Sequence, residues 1–180
     1  MGMAVSVSIN LCCYNSERYL QETLQSIIAQ TYKDWELVII DDGSTDSTES
    51  IIKGYVNRGY PIIHRYQKNH GLGYSRNEAL RHSRGEFVAF IDHDDLWMPD
   101  KLQRQVSVFK ERPEVDFIYS NYLILKNGKT RTAFTREQPE GAVFESFLYR
   151  YPVALVTSML RRDTLVKRRI EFDENIRLSE

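Results

Sequence analysis

Asp92, Asp94 and Asp95 place three carboxylates within four residues, directly after the apolar run Phe87-Val88-Ala89-Phe90-Ile91. Carboxylates crowded at the end of a buried segment repel one another and are costly to take out of water. Such a cluster is favoured when something positive sits between the acids. Hard divalent cations such as Mg2+ and Mn2+ take oxygen ligands and share their coordination with phosphate oxygens. The chemistry this stretch suits is that of a metal-diphosphate site. A second acidic pair, Asp41-Asp42, precedes Gly43-Ser44 and ends another apolar run, Trp35-Glu36-Leu37-Val38-Ile39-Ile40. An ionised carboxylate only accepts hydrogen bonds, so one of these acids suits a donor edge such as uracil N3–H. Asp, Gly and Ser are also common turn residues, and Asp46 or Ser47 is placed to cap a following helix. Taken alone, the motif reads equally well as a turn and cap.

Other polar clusters carry weaker signals. Gly71-Leu72-Gly73-Tyr74-Ser75-Arg76-Asn77 resembles a phosphate loop, but it lacks the third glycine of a dinucleotide fingerprint and no strand leads straight into it. The plain reading is a loop entering a helix. The sharper one puts Arg76, with its fixed fork of donors, and Asn77 beside a nucleotide. His93 alternates with its acidic neighbours and reads as a side chain pointing away rather than a ligand. His64, His70 and His82 have no spacing that suggests a metal site. Cys12 and Cys13 are adjacent in an apolar run and read as reduced core thiols in a reducing compartment. Arg161-Arg162 and Lys167-Arg168-Arg169 read as a solvated helix face, with attraction to an anionic lipid or a pyrophosphate-linked acceptor as the second reading.

These residues need elements to hold them. Val5-Ser6-Val7-Ser8-Ile9-Asn10-Leu11 alternates and then turns apolar into Cys12-Cys13, which predicts a strand. Tyr14-Asn15-Ser16-Glu17 follows as a turn, with Asn15 or Ser16 placed to cap a helix. Leu20, Leu24, Ile27 and Ile28 recur at helical spacing. Residues 35–40 form the second strand, and Ile51, Ile52, Tyr55 and Val56 mark a short helix. Residues 61–66 form a third strand, with Pro61 at its start where it is tolerated. The run into Asp92 is the fourth. Downstream, Trp97-Met98-Pro99-Asp100 opens a helix carrying Leu102, Val106 and Phe109. Residues 116–120 read as a strand. Asn127-Gly128 between residues 122–125 and 130–133 is a strong hairpin signal. A helix is expected over 143–149, a strand over 155–160, and a helix start at Arg162-Asp163.

Strand-helix-strand repetition implies an α/β fold with a mostly parallel sheet flanked by helices, plus a small antiparallel hairpin. Ligands of such sheets gather at the carboxyl ends of the strands. Tyr14-Asn15, Asp41-Asp42-Gly43 and the 92–95 acids all follow strand ends, and that coincidence is stronger evidence than any one motif. The chain of 180 residues is read as a single domain over 1–180, with a sizeable core. A net charge of −1 argues against a dedicated nucleic-acid binder. No apolar run is long enough to cross a bilayer, and there is no signal peptide. The expected location is cytoplasmic, with the inner face of the membrane as a further option.

Taken together, Tyr14-Asn15-x-Glu17, Gln30-Thr31-Tyr32, the run from Trp35 to Asp46, Asn69-x-Gly71 with Arg76-Asn77, and Asp92-x-Asp94-Asp95-x-Trp97-x-Pro99-Asp100-Lys101-Leu102 resemble the family 2 glycosyltransferases. Order and spacing match over nearly the whole chain. The resemblance implies a GT-A (Rossmann-like) fold, a nucleotide-sugar donor, most often UDP-linked, a divalent Mn2+ or Mg2+, and inversion at the anomeric carbon. The acceptor it implies is a glycan or lipid-linked sugar in surface polysaccharide synthesis. It also implies that Asp42, or its neighbour Asp41, binds the base, and that Tyr14, Asn15 and Glu17 line the nucleoside pocket. Arg76 lies by the nucleotide, Asp94 binds the metal most directly, and Asp92 serves the metal and the ribose or sugar side. Asp95 orients the sugar or holds the loop, and Thr157-Ser158-Met159 loosely matches a strand near the acceptor.

The family's catalytic base usually lies in a Glu-Asp pair shortly after a Phe-Asp-Glu segment. Here Phe172-Asp173-Glu174 is followed by Asn175 to Glu180, and Glu180 matches the first residue of that pair. The expectation is an N-terminal portion of a longer enzyme, with the base just after Glu180 and no catalytic base within the chain. A non-catalytic nucleotide-sugar-binding module is the alternative. A sugar-1-phosphate nucleotidyltransferase is disfavoured, because no Gly- and Arg-rich loop follows the first strand.

Overall fold

Strand β1, Val7–Cys13, is buried along its whole length, as a strand between two others and covered on both faces must be. Its alternation sorts two cores. Ile9, Leu11 and Cys13 point to one face, and Ser8, Asn10 and Cys12 to the other. The computed structural model describes residues 6–141, 143 and 153–176. In chain order these form β1, α1 (Leu20–Ile28), β2 (Trp35–Asp41), α2 (Thr48–Val56), β3 (Ile62–Tyr66), α3 (Leu72–His82), β4 (Phe87–Asp92), α4 (Lys101–Glu111), β5 (Phe117–Ile118), β6 (Leu123–Lys126), β7 (Lys129–Thr132), β8 (Met159–Arg161) and α5 (Arg162–Arg168).

Six strands make one sheet in the order β3-β2-β1-β4-β8-β5. β1 to β4 are parallel, and β8 is antiparallel to both β4 and β5. On the Ile9 face, Leu24 and Ile27 of α1, Ile52 of α2, and Leu102, Val106 and Phe109 of α4 close the larger core. On the other face Ala79 of α3 covers Cys12, Val38 and Ile40, and Leu165 of α5 covers Val88 and Phe90. The expected α/β sandwich is therefore present, with its small hairpin. β6 and β7 form a separate antiparallel pair around Asn127 (φ 52°) and Gly128 (φ 70°), the left-handed turn that Asn-Gly favours.

Three local expectations are corrected. The strand expected over 155–160 is a 3-10 turn, Leu155–Thr157, and only then β8. The Thr157 and Ser158 hydroxyls donate to the carbonyls of Ala154 and Leu155, offering the backbone a turn in place of a ladder. Helix α1 begins at Leu20, and neither Asn15 nor Ser16 caps it, because Asn15 Oδ1 accepts from the Thr45 amide and Ser16 Oγ from the Tyr14 amide. The strand expected over 116–120 shrinks to Phe117–Ile118. The helix expected over 143–149 lies outside the described residues, Val143 apart.

Candidate functional site

Parallel pairing brings the predicted acids to one edge. Cys13 is in register with Asp41, and Cys12 with Asp92, so the two acidic strand ends flank the end of β1. Two strand spacings separate β2 from β4, which is about 10 Å. The 14–17 loop fills the position between them.

On the β2 side the two adjacent acids do different work. Asp41 is 0% exposed, and its Oδ1 accepts from the Ser44 amide at 2.9 Å. It shapes the turn. Asp42 is 5% exposed and holds the loop after β3. Its Oδ1 accepts from Gln67 Nε2 (2.7 Å) and the His70 amide (3.0 Å), and its Oδ2 from the Gly71 amide (2.8 Å). A carboxylate has about four acceptor positions, so about one is left over.

The 14–17 loop is laced to the loop that follows Asp42. The Asn15 amide donates to Ser44 Oγ, and Asn15 Oδ1 accepts from the Thr45 amide. The Ser16 amide donates to Thr48 Oγ1 at 2.7 Å. Glu17 Oε2 accepts from the Ser47 amide, while Asp46 accepts from the amides of Glu17 and Thr48. Asn15 and Glu17 thus spend their side chains building the rim. Tyr14, 43% exposed, presents its ring.

On the β4 side, Arg76 Nη2 donates to Asp92 Oδ1 at 2.9 Å. The Arg76 guanidinium lies 5.4 Å from the centre of the Phe172 ring. Asp94 is exposed. Burial, and then the charges of Asp92 and Asp94, push the Asp95 carboxyl up to about 6. That raised proton affinity reflects burial first and the neighbouring acids second. The donor set is hard oxygen, which fits Mg2+ or Mn2+. No three His, Cys, Asp or Glu side chains converge into a complete metal shell among the described residues, so Asp92 and Asp94 would share such an ion with diphosphate oxygens and water.

The structure also explains residues that sequence reasoning left without a role. Gln30, wholly buried, clamps the loop after β4. Its Nε2 donates to the Met98 carbonyl at 2.8 Å and its Oε1 accepts from the Leu102 amide. The Thr31 amide donates to the Pro99 carbonyl. Thr23 Oγ1 donates to the His93 carbonyl, and Trp97 Nε1 to the Val156 carbonyl. The acidic loop is thus fastened from α1 and from the 155–157 turn.

Asn77 does not face the nucleotide side, against the expectation for it. Its Oδ1 accepts from the Phe172 amide and its Nδ2 donates to the Phe172 carbonyl, pinning that segment to α3. Gly73 permits the close approach, since a Cβ there would lie 2.7 Å from the Asp173 carbonyl oxygen. The chain past Phe172 therefore runs over the first turn of α3, the end next to Asp42. Lower on this face an apolar cleft of about 240 Å3 is lined by Leu80, Phe90, Leu160, Leu165 and Phe172. It offers no cluster of donors for a diphosphate.

Lys101 opens α4 beneath the acidic loop. Its Nζ donates to Gln105 Oε1 and sits 4.1 Å from the centre of the Trp97 ring. Burial pushes this amine down to about 7. A lysine lowered in the folded state penalises folding while it is charged, below about pH 7. The penalty fades as pH rises toward 10.5, where the unfolded chain also loses the proton. Lys101→Met is expected to stabilise the fold at pH 6 by on the order of 1 kcal/mol, a rise in Tm of about 2–4 °C, and by less at pH 10. Melting curves at the two pH values check this, and an equal gain at both would refute it.

Residues 8–166 match the sequence model of glycosyl transferase family 2. This chain belongs to glycosyltransferase family 2. It is 32% identical over 160 residues to WfgD of Escherichia coli, named as a UDP-Glc:alpha-D-GlcNAc-diphosphoundecaprenol beta-1,3-glucosyltransferase, covering 88% of this chain and 61% of that protein. The crystal structure of TarS residues 1–349 from S. aureus superposes with a TM-score of 0.81 at 28% identity, over 97% of this chain and 52% of that one. TarS has also been solved with UDP and with UDP-GlcNAc. A mannosyltransferase of Pyrobaculum calidifontis, solved with GDP-Man and Mn2+, shares the fold at a TM-score of 0.71 and 21% identity, over 94% of this chain and 48% of that one. The family 2 chain therefore has the GT-A fold. It spans about three fifths of WfgD and half of the TarS chain.

Proposed function

We propose that this family 2 chain carries the donor site of a metal-dependent inverting glycosyltransferase. The donor is a nucleotide-sugar, UDP-linked, and the acceptor a glycan or lipid-linked sugar of surface polysaccharide synthesis. The observation that carries this is the meeting of Asp42, the Arg76–Asp92 pair and exposed Asp94 across the carboxyl ends of β2, β1 and β4. Asp42 uses its remaining acceptor position for the base N–H, while Asp41 sets the turn beneath it. The Tyr14 ring faces the base or ribose, and Asn15 and Glu17 hold that ring's loop in place. Asp94, with the Asp92 carboxylate, would hold Mg2+ or Mn2+. When bound, the ion supplies Lewis-acid neutralisation of the diphosphate that leaves. Arg76 fixes Asp92 and adds a positive charge on the same side.

The acceptor hydroxyl must pass its proton to a carboxylate within hydrogen-bond reach. None of the donor-site acids is assigned that part.

The test of the donor site is thermal. UDP with Mn2+ is expected to raise Tm above the values with UDP alone and with Mn2+ alone. No shift with any nucleoside diphosphate, with Mn2+ or Mg2+ present, would remove the proposal.

A further inference from the structure

From Phe117 to Arg136 the sequence has no Asp or Glu and four cations, Lys126, Lys129, Arg131 and Arg136, in a chain of net charge −1. The core of this stretch is the β6–β7 hairpin, which pairs with no other strand among the described residues. A lone two-stranded sheet is marginal in water unless it leans on something. Its register puts Leu123, Leu125, Thr130 and Thr132 on one face, and Ile124, Lys126, Lys129 and Arg131 on the other. Leu123 is 52% and Leu125 65% exposed. All four cations are exposed, and none forms an ion pair among the described residues.

Topology says where the hairpin stands. β8 runs against β4, and β5 runs against β8, so β5 runs parallel to β4. The chain leaves β5 at the end of the sheet where Asp41 and Asp92 lie, and enters the hairpin from the outermost strand.

We propose that the β6–β7 hairpin seats this end of the protein on an anionic lipid bilayer. Leu123 and Leu125 enter the boundary between headgroups and acyl chains. Lys126 and Lys129, beside the turn, pair with lipid phosphates, and Arg131 and Arg136 add attraction to the anionic surface at longer range. The ribbon is one layer thick, and Lys126 and Lys129 flank its turn. Their long stems can carry the charges past its edge to the headgroups beside the leucines. A soluble polyanion would use the cations and leave the leucines in water. A neutral apolar protein surface would cover the leucines and strand four charges. A bilayer with anionic headgroups satisfies both. The contact is reversible and peripheral, as no helix among the described residues is long and apolar enough to cross a membrane. None of these residues belongs to the donor site, so the two proposals stand apart.

Flotation with vesicles of phosphatidylcholine, with and without phosphatidylglycerol, tests it. The wild-type chain is expected to float with the phosphatidylglycerol vesicles at low salt and to be released at high salt. Reversing Lys126, Lys129 and Arg131 together to Glu should lower the partition coefficient by roughly 100-fold or more. Leu123→Ser with Leu125→Ser should lower it by roughly tenfold or more with the charges intact. Equal retention on both vesicle types, or variants that bind like the wild type, would overturn the proposal. So would binding that inorganic polyphosphate competes away while the leucine variants are unaffected, which is the behaviour of a soluble-polyanion site. Far-UV circular dichroism melts confirm that each variant folds. The UDP–Mn2+ shift reads the donor site separately, so failure there is distinguishable from failure to bind lipid.

Discussion

Asp94→Ala is expected to abolish the Mn2+-dependent part of the Tm rise that UDP produces, while leaving the unliganded protein as stable as before or slightly more so. At a ligand concentration about 100 times Kd, binding stabilises by about 2.7 kcal/mol. For a chain of this size that is a rise of about 5–10 °C. Asp94 is exposed, so its removal takes away no buried hydrogen bond. It also removes one of the charges that raise the proton affinity of Asp95, which relieves the cluster. The signature is a lost ligand response without a lost fold. Thermal melts of wild type and variant, with UDP, with Mn2+ and with both, read it directly. A variant that keeps the full metal-dependent increment would move the ion away from this loop.

Asp42→Ala should behave in the opposite manner, losing stability and the ligand together. Its buried carboxylate takes three donors, Gln67 Nε2 and the amides of His70 and Gly71. Truncation strands two backbone N–H groups beside the first turn of α3. Hydrogen bonds to a charged group contribute about 1.5–3 kcal/mol each, and neighbouring losses do not add fully, so the expected cost is about 3–4 kcal/mol. The corresponding fall in Tm is about 6–16 °C. Asp41→Asn is the matched comparison. Asp41 Oδ2 is buried with no partner among the described residues, and Oδ1 can still accept from the Ser44 amide. Its cost should stay under about 1 kcal/mol. Urea titrations of the two variants decide the matter. An Asp41 variant that unfolds more readily than the Asp42 variant would reverse the assigned roles.

The two acids show how far sequence reasoning reaches. The pair Asp41-Asp42 was legible as a strand-end site because apolar runs end abruptly there, and carboxylates in that position need a partner. Which acid does what was not legible. Successive side chains at a strand end point to opposite sides, and only the packing of β1 and of the 67–71 loop decides which side is which. The same holds for Asn15 and Glu17. Their place just after a strand end followed from the motif, but their use as rim-builders depends on amides contributed from Thr45 and Ser47, about thirty residues away. Asn77 looked like a nucleotide contact and is a clamp on Phe172, a residue whose proximity nothing in the local sequence announces.

The sequence by itself determined the alternation of strands and helices, the acids at the ends of β2 and β4, the Asn-Gly hairpin and the family. Each of these rests on local patterning or on the chain's own order of motifs. The tertiary structure alone decided the division of labour within the site. Gln30 became the anchor of the acidic loop, Arg76 the partner of Asp92, and the acid-free stretch after β5 a hairpin that pairs with no other strand among the described residues, at the end of the sheet where Asp41 and Asp92 lie. Those outcomes depend on contacts between residues far apart in the chain, and on the direction of an edge strand set by its neighbours. Short-range periodicity carries no information about either.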